Sequence, residues 1–183
     1  MQIRQLHPDI WEILEFVTLE EQQVFLGAIA SMSESLWTKD DTAAGHWVGR
    51  SMLLDFFDDP TIKFTGQAIE QRLYNSFVDY TQIHQLNHLL RASAGQGMDV
   101  HRDDVELPDK VNMFGIVIYL NDDYEGGEIY YPEIDLVHKP LARSMVVHRA
   151  SQPHGVKEVT GSGIRYVMTS FVKGDAKTKL KVN

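Results

Sequence analysis

The sequence contains no cysteine. A chain without thiols forms no disulfides, zinc-thiolate sites or iron–sulfur clusters, and it has no thiol nucleophile. Long apolar runs are also missing. The longest, Met113 to Leu120, is far shorter than the about 20 residues that a membrane-spanning helix needs. A bound metal would therefore have to be held by His, Asp or Glu side chains.

Positive charge is scarce as well: 17 Lys and Arg face 26 Asp and Glu, which gives a formal net charge of −9. This balance works against nonspecific binding to nucleic acids or anionic membranes and favours a neutral or basic partner. After Met1 the sequence is polar and charged, without the basic and apolar pattern of a secretory leader. We therefore expect a soluble, cytoplasmic protein with no nucleic-acid or membrane partner, whereas the sequence says nothing about oligomeric state.

The first part of the chain carries helical patterns. Thr18 and Glu21 have the spacing of a capping box, which predicts a helix from there to about Ser35. A second amphipathic helix is predicted over residues 65–80, where apolar side chains recur at helical spacing. The pattern of residues 10–17 suits either a helix or a short strand. Residues 38–49 are expected to form a polar loop, and residues 51–57 a strand that stops before Pro60.

The second part carries strand patterns. The clearest is Val111 to Asn121, which is apolar on both faces as a central strand should be. Further strands are predicted at residues 83–90, 129–131 and 164–172, with a strand pair over residues 137–147 around Pro140. The lysine-containing tail from Lys173 is expected to be a solvated end.

Early helices followed by many strands predict an α+β fold. With 183 residues, 43% of them hydrophobic, the chain is long enough for one domain with a sizeable core. We expect a single domain over residues 1–183, with helical support over about 1–80 and a double-sheeted jelly-roll core over about 83–173.

Three residues predict a metal site. In an extended strand His101 and Asp103 point to the same side, so that one imidazole nitrogen and one carboxylate oxygen converge. His154, which follows a turn after a distant strand, would complete three ligands on one face of an octahedral ion. This ligand set is the facial triad of non-haem Fe(II) oxygenases. His148 competes with His154 for the distal position, but it lies within a predicted strand, and we interpret it as a structural histidine.

From Leu90 to Val172 the chain resembles the Fe(II)- and 2-oxoglutarate-dependent dioxygenases, and within them the prolyl hydroxylases. The residues that carry the resemblance are Gly95-Gln96, His101-Arg102-Asp103, Tyr119-Leu120-Asn121, Gly126-Gly127-Glu128, Pro132, Pro153-His154 and Arg165-Tyr166. The Tyr-Leu-Asn strand and the Gly-Gly-Glu turn make the match far more specific than the three ligands alone.

The resemblance implies a double-stranded β-helix with iron held by His101, Asp103 and His154. It also implies 2-oxoglutarate and O2 as cosubstrates, with ascorbate as an optional reductant. The far carboxylate of 2-oxoglutarate would need a buried charged donor, and Arg165 offers a planar two-point grip. Tyr119 matches a tyrosine that donates to the same carboxylate, and Thr169, on the same strand face as Arg165, would add a hydroxyl.

The expected activity is therefore hydroxylation of an unactivated C–H bond, with decarboxylation of 2-oxoglutarate to succinate and CO2. A prolyl residue in a protein or peptide leads as the substrate, ahead of a free amino acid or small metabolite. Two other classes stay open. A Zn or Mn hydrolase could use a His/Asp/His set, and a catalytically silent jelly-roll binding domain would keep the fold without consuming 2-oxoglutarate.

Overall fold

The computed structural model describes residues 1–37, 39–40, 47–48, 59–84, 86, 88–104, 106–107 and 110–181. Its two α-helices are α1 (Leu19–Ala30) and α2 (Pro60–Asn75). The strands, in chain order, are β1 (Gln2–His7), β2 (Ile10–Leu14), β3 (Lys39–Asp40), β4 (Trp47–Val48), β5 (Phe77–Ile83), β6 (His88–Ala92), β7 (Met98–His101), β8 (Glu106–Leu107), β9 (Lys110–Tyr119), β10 (Glu125–Gly126), β11 (Ile129–Tyr131), β12 (Leu136–His138), β13 (Met145–Arg149), β14 (His154–Val156), β15 (Val159–Thr160) and β16 (Arg165–Leu180). Short 3₁₀ turns lie at Glu34–Leu36 and Pro132–Ile134.

Most strands belong to two antiparallel sheets. The large sheet has the order β1-β2-β13-β9-β16-β6-β4-β3, with β5 paired to β16 and β8 to β9, and the small sheet has the order β12-β11-β14-β7. Between them lies an apolar cluster that joins Tyr119, Val146 and Val167 of the large sheet to Ile129 and Tyr131 of the small one. Two sheets packed face to face in this way form the expected double-stranded β-helix core.

Strand β9 explains how the layers are held together. Its alternate residues Phe114, Ile116 and Ile118 belong to the cluster that contains Ile69 and Leu73 of α2, whereas Tyr119 faces the small sheet. Since β9 is buried on both faces, it reads as a continuous apolar run rather than as an alternating one. The helices therefore cover the outer face of the large sheet and leave its inner face for the site.

Helix α1 begins as the sequence predicts. Thr18 accepts a hydrogen bond from the Glu21 backbone N–H, and the Glu21 carboxylate accepts one from the Thr18 N–H, which completes the capping box. The helix ends at Ala30, earlier than the expected Ser35. Arg72 of α2 also donates to the Glu21 carboxylate from both terminal guanidinium nitrogens, Nη1 at 3.0 Å and Nη2 at 2.8 Å. The N-terminus of α1 is thereby fastened to the last turn of α2.

The second helix lies five residues earlier than predicted: α2 spans Pro60–Asn75, whereas the pattern predicts a helix over residues 65–80. Asp59 caps α2 by accepting a hydrogen bond from the Thr61 N–H at 2.7 Å, and Pro60 occupies its first turn. Pro60 is interpreted from the sequence as the end of a strand, but in the structure Asp59 and Pro60 begin a helix, because Pro is favoured at the first helical position. Phe77 and Tyr80 lie in β5. The expected strand over 83–90 is in fact two strands, because β5 ends at Ile83 and β6 begins at His88.

The two strands predicted around Pro140 are present as β12 and β13, but they do not pair with each other: β12 pairs with β11 in the small sheet and β13 pairs with β9 and β2 in the large one. One expectation about the strands was wrong. The tail from Lys173 is not a solvated end. Strand β16 continues to Leu180 and pairs with β5, and Thr178 and Leu180 are buried between exposed neighbours.

The ambiguous segment over residues 10–17 contains β2, which forms a hairpin with β1 and joins the large sheet through β13. Within the expected polar loop over 38–49 the described residues are the two short strands β3 and β4. The strand predicted over 51–57 lies outside the described residues. In the part of the chain that is described, no helix is long and apolar enough to cross a membrane.

Candidate metal centre

His101, Asp103 and His154 come together at one end of the inter-sheet space. Strands β7 and β14 pair so that His154 lies opposite His101, and Asp103 follows directly after β7. His101 Nε2 lies 3.5 Å from Asp103 Oδ1, and His154 Nε2 lies 3.6 Å from Asp103 Oδ2. One candidate ligand atom from each residue lies within 4.8 Å of the others. The predicted ligand set is therefore assembled in one place.

Both imidazoles are oriented by the backbone two residues earlier. His101 Nδ1 lies 2.9 Å from the Asp99 carbonyl, and His154 Nδ1 lies 3.0 Å from the Gln152 carbonyl. Because a carbonyl only accepts, each Nδ1 must donate, and in the neutral ring Nε2 then keeps its lone pair. The Nε2 of His101, 3.5 Å from Asp103 Oδ1, donates to that carboxylate only when the ring is protonated. An imidazole held in this way presents Nε2 as a metal ligand.

The carboxylate of the site is held in its ionised form. Burial alone would raise the pKa of Asp103, but hydrogen bonding by His101 and His148 outweighs it, so the pKa lies well below its usual range. Burial, with His148 nearby, lowers the pKa of His154 to about 3, so this ring is neutral at pH 7. The Asp103 carboxylate raises the pKa of His101 against the effect of burial. A carboxylate beside imidazoles is a donor set that Fe(II) accepts.

His148, interpreted above as a structural histidine, lies directly against this set. It is fully buried in β13, and its Nε2 lies 3.1 Å from Asp103 Oδ2, with Nδ1 3.2 Å from the Tyr131 hydroxyl. Its ring packs on that of His154 with centroids 4.0 Å apart. From the sequence, His148 is weighed as a rival ligand and interpreted as a structural histidine, but its contact with Asp103 was missed. The available signal was its cross-strand partner, Gly115, which leaves room for a large neighbour.

Arg165 and Tyr119 lie together on the inner face of the large sheet. Arg165 is 1% exposed and donates from Nη2 to the Tyr119 hydroxyl at 3.2 Å, and its guanidinium lies 5.0 Å from the centre of the Tyr119 ring. Burial raises the pKa of Tyr119, with Arg165 opposing it, so the phenol keeps its proton. Thr169 lies four residues further along the same face of β16 and is partly buried.

Two neighbours of Arg165 were not foreseen. The Tyr124 ring is buried beside Arg165, and Lys139 Nζ lies 3.5 Å from the centre of that ring while donating to the Tyr124 and Gly126 carbonyls. Burial lowers the pKa of Lys139, and the positive charge of Arg165 lowers it further, against nearby carboxylates that raise it. Two cations thus lie close to one another near the pocket, which favours an anion there.

Comparison with known proteins gives the following. Residues 84–173 match the family model of the 2OG-Fe(II) oxygenase superfamily, while no curated protein matches the chain by sequence. A Trichoplax adhaerens prolyl hydroxylase, solved in complex with a hypoxia inducible factor oxygen degradation domain peptide fragment, is 16% identical, with 90% of this chain and 83% of that chain covered and a TM-score of 0.69. A Pseudomonas putida prolyl-4-hydroxylase is 16% identical, with 91% and 93% covered and a TM-score of 0.65.

A third similar structure has a different kind of ligand. HygX from Streptomyces hygroscopicus, solved with nickel, 2-oxoglutarate and hygromycin B bound, is 15% identical, with 92% of this chain and 84% of that chain covered and a TM-score of 0.61. At identities this low, the structural likeness establishes a shared fold and nothing more. The segment that matches the family model, residues 84–173, contains every residue of the ligand set and of the pocket described above. Over residues 84–173 the chain matches the 2OG-Fe(II) oxygenase superfamily, and in fold it is prolyl hydroxylase-like.

Proposed function

We propose that this protein hydroxylates a prolyl residue in a protein or peptide, using Fe(II) held by His101, Asp103 and His154 and 2-oxoglutarate held by Arg165 and Tyr119. The observation that carries the proposal is the placement of these two groups of side chains in one space between the sheets. The chemistry of the superfamily, an Fe(II) oxygenase that consumes 2-oxoglutarate and O2, needs both.

The residues present fit a divalent iron. Two Nε2 lone pairs and an ionised carboxylate point to a common centre, and three protein ligands leave positions for a bidentate 2-oxo acid and for O2. His154 is almost fully buried, whereas the side chain of His101 is 35% exposed. Access from solvent is therefore on the His101 side, and the substrate would approach from there.

The residues present also fit a dicarboxylate. A guanidinium as deeply buried as that of Arg165 carries a large desolvation cost, and nearby Lys139 adds a like charge. The far carboxylate of 2-oxoglutarate would offset both. Gly127 keeps the space clear, because a Cβ there would lie 3.1 Å from Arg165 Cδ and 2.9 Å from the Tyr124 ring. Tyr119 would donate a neutral hydrogen bond to the same carboxylate, and we include Thr169 as a further hydroxyl on this face.

When iron and its cosubstrates are bound, they supply an oxidant that inserts one oxygen atom of O2 into a C–H bond, while the other enters succinate as CO2 leaves. The protein orients the reactants and keeps water out. The apolar cluster between the sheets, including Tyr131, Val146 and Val167, provides the dry wall. Arg165 and Tyr119 set where 2-oxoglutarate lies relative to the metal.

The prolyl substrate is supported by the likeness to two prolyl hydroxylases, one solved with a peptide. The rim near His101 carries an ion pair, Arg102 with Glu133, at 3.4 Å between charged groups that are both largely exposed. A peptide backbone could be held at such a polar rim. The second candidate is hydroxylation of a small molecule, which the likeness to the hygromycin B complex of HygX favours.

The test is anaerobic reconstitution with Fe(II), followed by O2 and 2-oxoglutarate, with succinate measured with and without a panel of proline-containing peptides. Succinate that rises with a peptide, with a mass gain of about 16 Da on its proline from one added oxygen, supports the proposal. The matched peptide with alanine in place of proline is the control. Succinate without peptide stimulation would move the substrate to the small-molecule class, and no succinate from iron-loaded protein would overturn the enzymatic proposal.

A further inference from the structure

His148 is a buried imidazole that the proposed ligand set leaves without a role. It belongs to β13 of the large sheet, whereas Asp103 follows β7 of the small sheet, so their contact bridges the two sheets. The contact is direct, with His148 Nε2 3.1 Å from Asp103 Oδ2. His148 has no exposed surface, so water cannot substitute for its hydrogen bonds.

The direction of each hydrogen bond follows from the partners. The Asp103 carboxylate, taken here as a metal ligand, can only accept, and His148 Nε2, 3.1 Å from its Oδ2, must therefore donate. In the neutral ring Nδ1 is then the acceptor, and the Tyr131 hydroxyl 3.2 Å away must donate to it. The result is a chain of two bonds running from Tyr131 through His148 to Asp103.

Gly115 provides the space for this arrangement. It pairs with His148 across β9 and β13, and a Cβ at this position would clash with both Asp103 Oδ2 and His148 Nε2. A Cβ atom essentially never approaches non-bonded atoms this closely, and both neighbours are held by other bonds. Glycine is thus required here for steric reasons, and the atoms that require it are the two that form the Asp103–His148 hydrogen bond.

We infer that His148 is a positioning residue: it anchors Oδ2 of Asp103 so that Oδ1 is presented to the metal, and Tyr131 fixes the tautomer in which it does so. This inference rests on the proposed function, since it takes Asp103 as a metal ligand. The hydrogen bond restricts rotation of the carboxylate about its Cβ–Cγ bond, a torsion that is otherwise broad. Partners of this kind are worth about 10- to 100-fold in metal affinity.

The first test is the tautomer of His148 in the metal-free protein, read from long-range ¹H–¹⁵N correlations of the histidine rings. The His148 signals are assigned by their loss in His148→Gln. We expect the proton on Nε2 in the wild-type protein and a mixed tautomer in Tyr131→Phe. A proton on Nδ1 in the wild-type protein would overturn the inference, whatever the outcome of any activity assay.

The second test is the affinity for Co(II) without 2-oxoglutarate. His148→Leu should weaken binding about 10- to 100-fold and alter the visible Co(II) spectrum, whereas His148→Gln, whose amide N–H can reach the same oxygen, should recover most of both. Tyr131→Phe should have a smaller effect, and Tyr74→Phe, in helix α2, none. A purely structural role would make the Leu and Gln variants equal in affinity, which would overturn the inference.

The third test is a matched pair of glycine substitutions. Gly115→Ala should weaken Co(II) binding by at least as much as His148→Leu, because its methyl group would separate the Asp103–His148 pair. Gly27→Ala is the control, since a Cβ there meets nothing within 4 Å. Unfolding of each metal-free variant is measured alongside, and Co(II) affinity of Gly115→Ala equal to that of Gly27→Ala would contradict the inference.

The outcomes separate the two proposals. Wild-type protein that binds Co(II) while His148→Leu binds it equally well would remove the role of His148 and leave the proposed function standing. Near-complete loss of binding in His148→Leu with retention in His154→Ala would make His148 a ligand, contrary to the inference. Wild-type protein that binds no Co(II) would remove the proposed function and this role with it.

Discussion

Replacing Arg165 with methionine should separate cosubstrate binding from fold stability. The guanidinium donates to the Tyr119 phenol and contacts Tyr124, and the positive charge of Lys139 lies nearby. Burying a charge costs free energy, and a bound 2-oxoglutarate carboxylate would offset part of that cost. Methionine keeps an unbranched chain of similar length without the charge.

The expected magnitudes have opposite signs. Removing the charged partner of a buried carboxylate costs about 2 to 5 kcal/mol of binding free energy, which corresponds to an increase of about 30- to 4,000-fold in the Kd for 2-oxoglutarate. The free energy of unfolding of the protein without 2-oxoglutarate should stay the same or rise, since apolar replacements of buried charges are often neutral or stabilising.

Both quantities are measurable on one preparation, with calorimetric titration of 2-oxoglutarate into Mn(II)-loaded protein and urea unfolding of the metal-free protein. Arg91→Met is the matched control, because Arg91 lies in the neighbouring strand β6, opposite Tyr166, and pairs with an exposed glutamate. A Kd within threefold of wild type would refute the cosubstrate role of Arg165. A loss of unfolding free energy as large as the loss of binding free energy would refute the reasoning about its buried charge.

Three further predictions concern the ligands, the helix pair and the last strand. His154→Ala should abolish iron-dependent succinate formation and metal binding together while the protein still unfolds cooperatively; turnover retained by this variant would exclude His154 as a ligand. Glu21→Gln should lower the free energy of unfolding by about 1.5 to 3 kcal/mol at pH 7, against no change for exposed Glu20→Gln. The Arg72 pairing holds the pKa of Glu21 below its ordinary 4.5 despite burial, so the wild-type advantage should be present above that pH and disappear as the pH falls further; an advantage independent of pH would contradict the ion pair. Leu180→Ala should cost about 2 to 5 kcal/mol of unfolding free energy by leaving a cavity, whereas exposed Leu141→Ala should cost less than about 0.5 kcal/mol. Equal effects would mean that the C-terminal end of β16 is not packed in the core.

The elements that were predictable from sequence are those whose local pattern and tertiary role agree. The β9 segment is apolar on both faces because helices cover one side and the small sheet the other. Thr18 and Glu21 satisfy each other's backbone donors whatever lies nearby. The convergence of His101, Asp103 and His154 was expected from strand geometry and from the family resemblance, and their roles at the metal stay predictions.

Other features depend on partners distant in the chain. Lys177 and Lys179 made the tail look solvated, although Thr178 and Leu180 alternate with them and are buried. That alternation is a strand signal, and the net polarity of the segment concealed it. The contact of His148 with Asp103 could not be read from spacing, because it joins residues of opposite sheets. The ring lies on the inner face of β13 because His148 shares that face with Val146, which packs in the cluster between the sheets.

The length of β16 has a consequence for how the protein folds. This one strand begins at Arg165 in the pocket and pairs successively with β6, β9 and β5, all of which precede it in the chain. During synthesis the strands β5, β6 and β9 therefore lack their β16 backbone partner until β16 has been made. Sheets closed by such non-local pairing form slowly and are exposed to aggregation while incomplete. The growing chain would thus need protection until β16 has been made, and the pocket would form only as the large sheet closes.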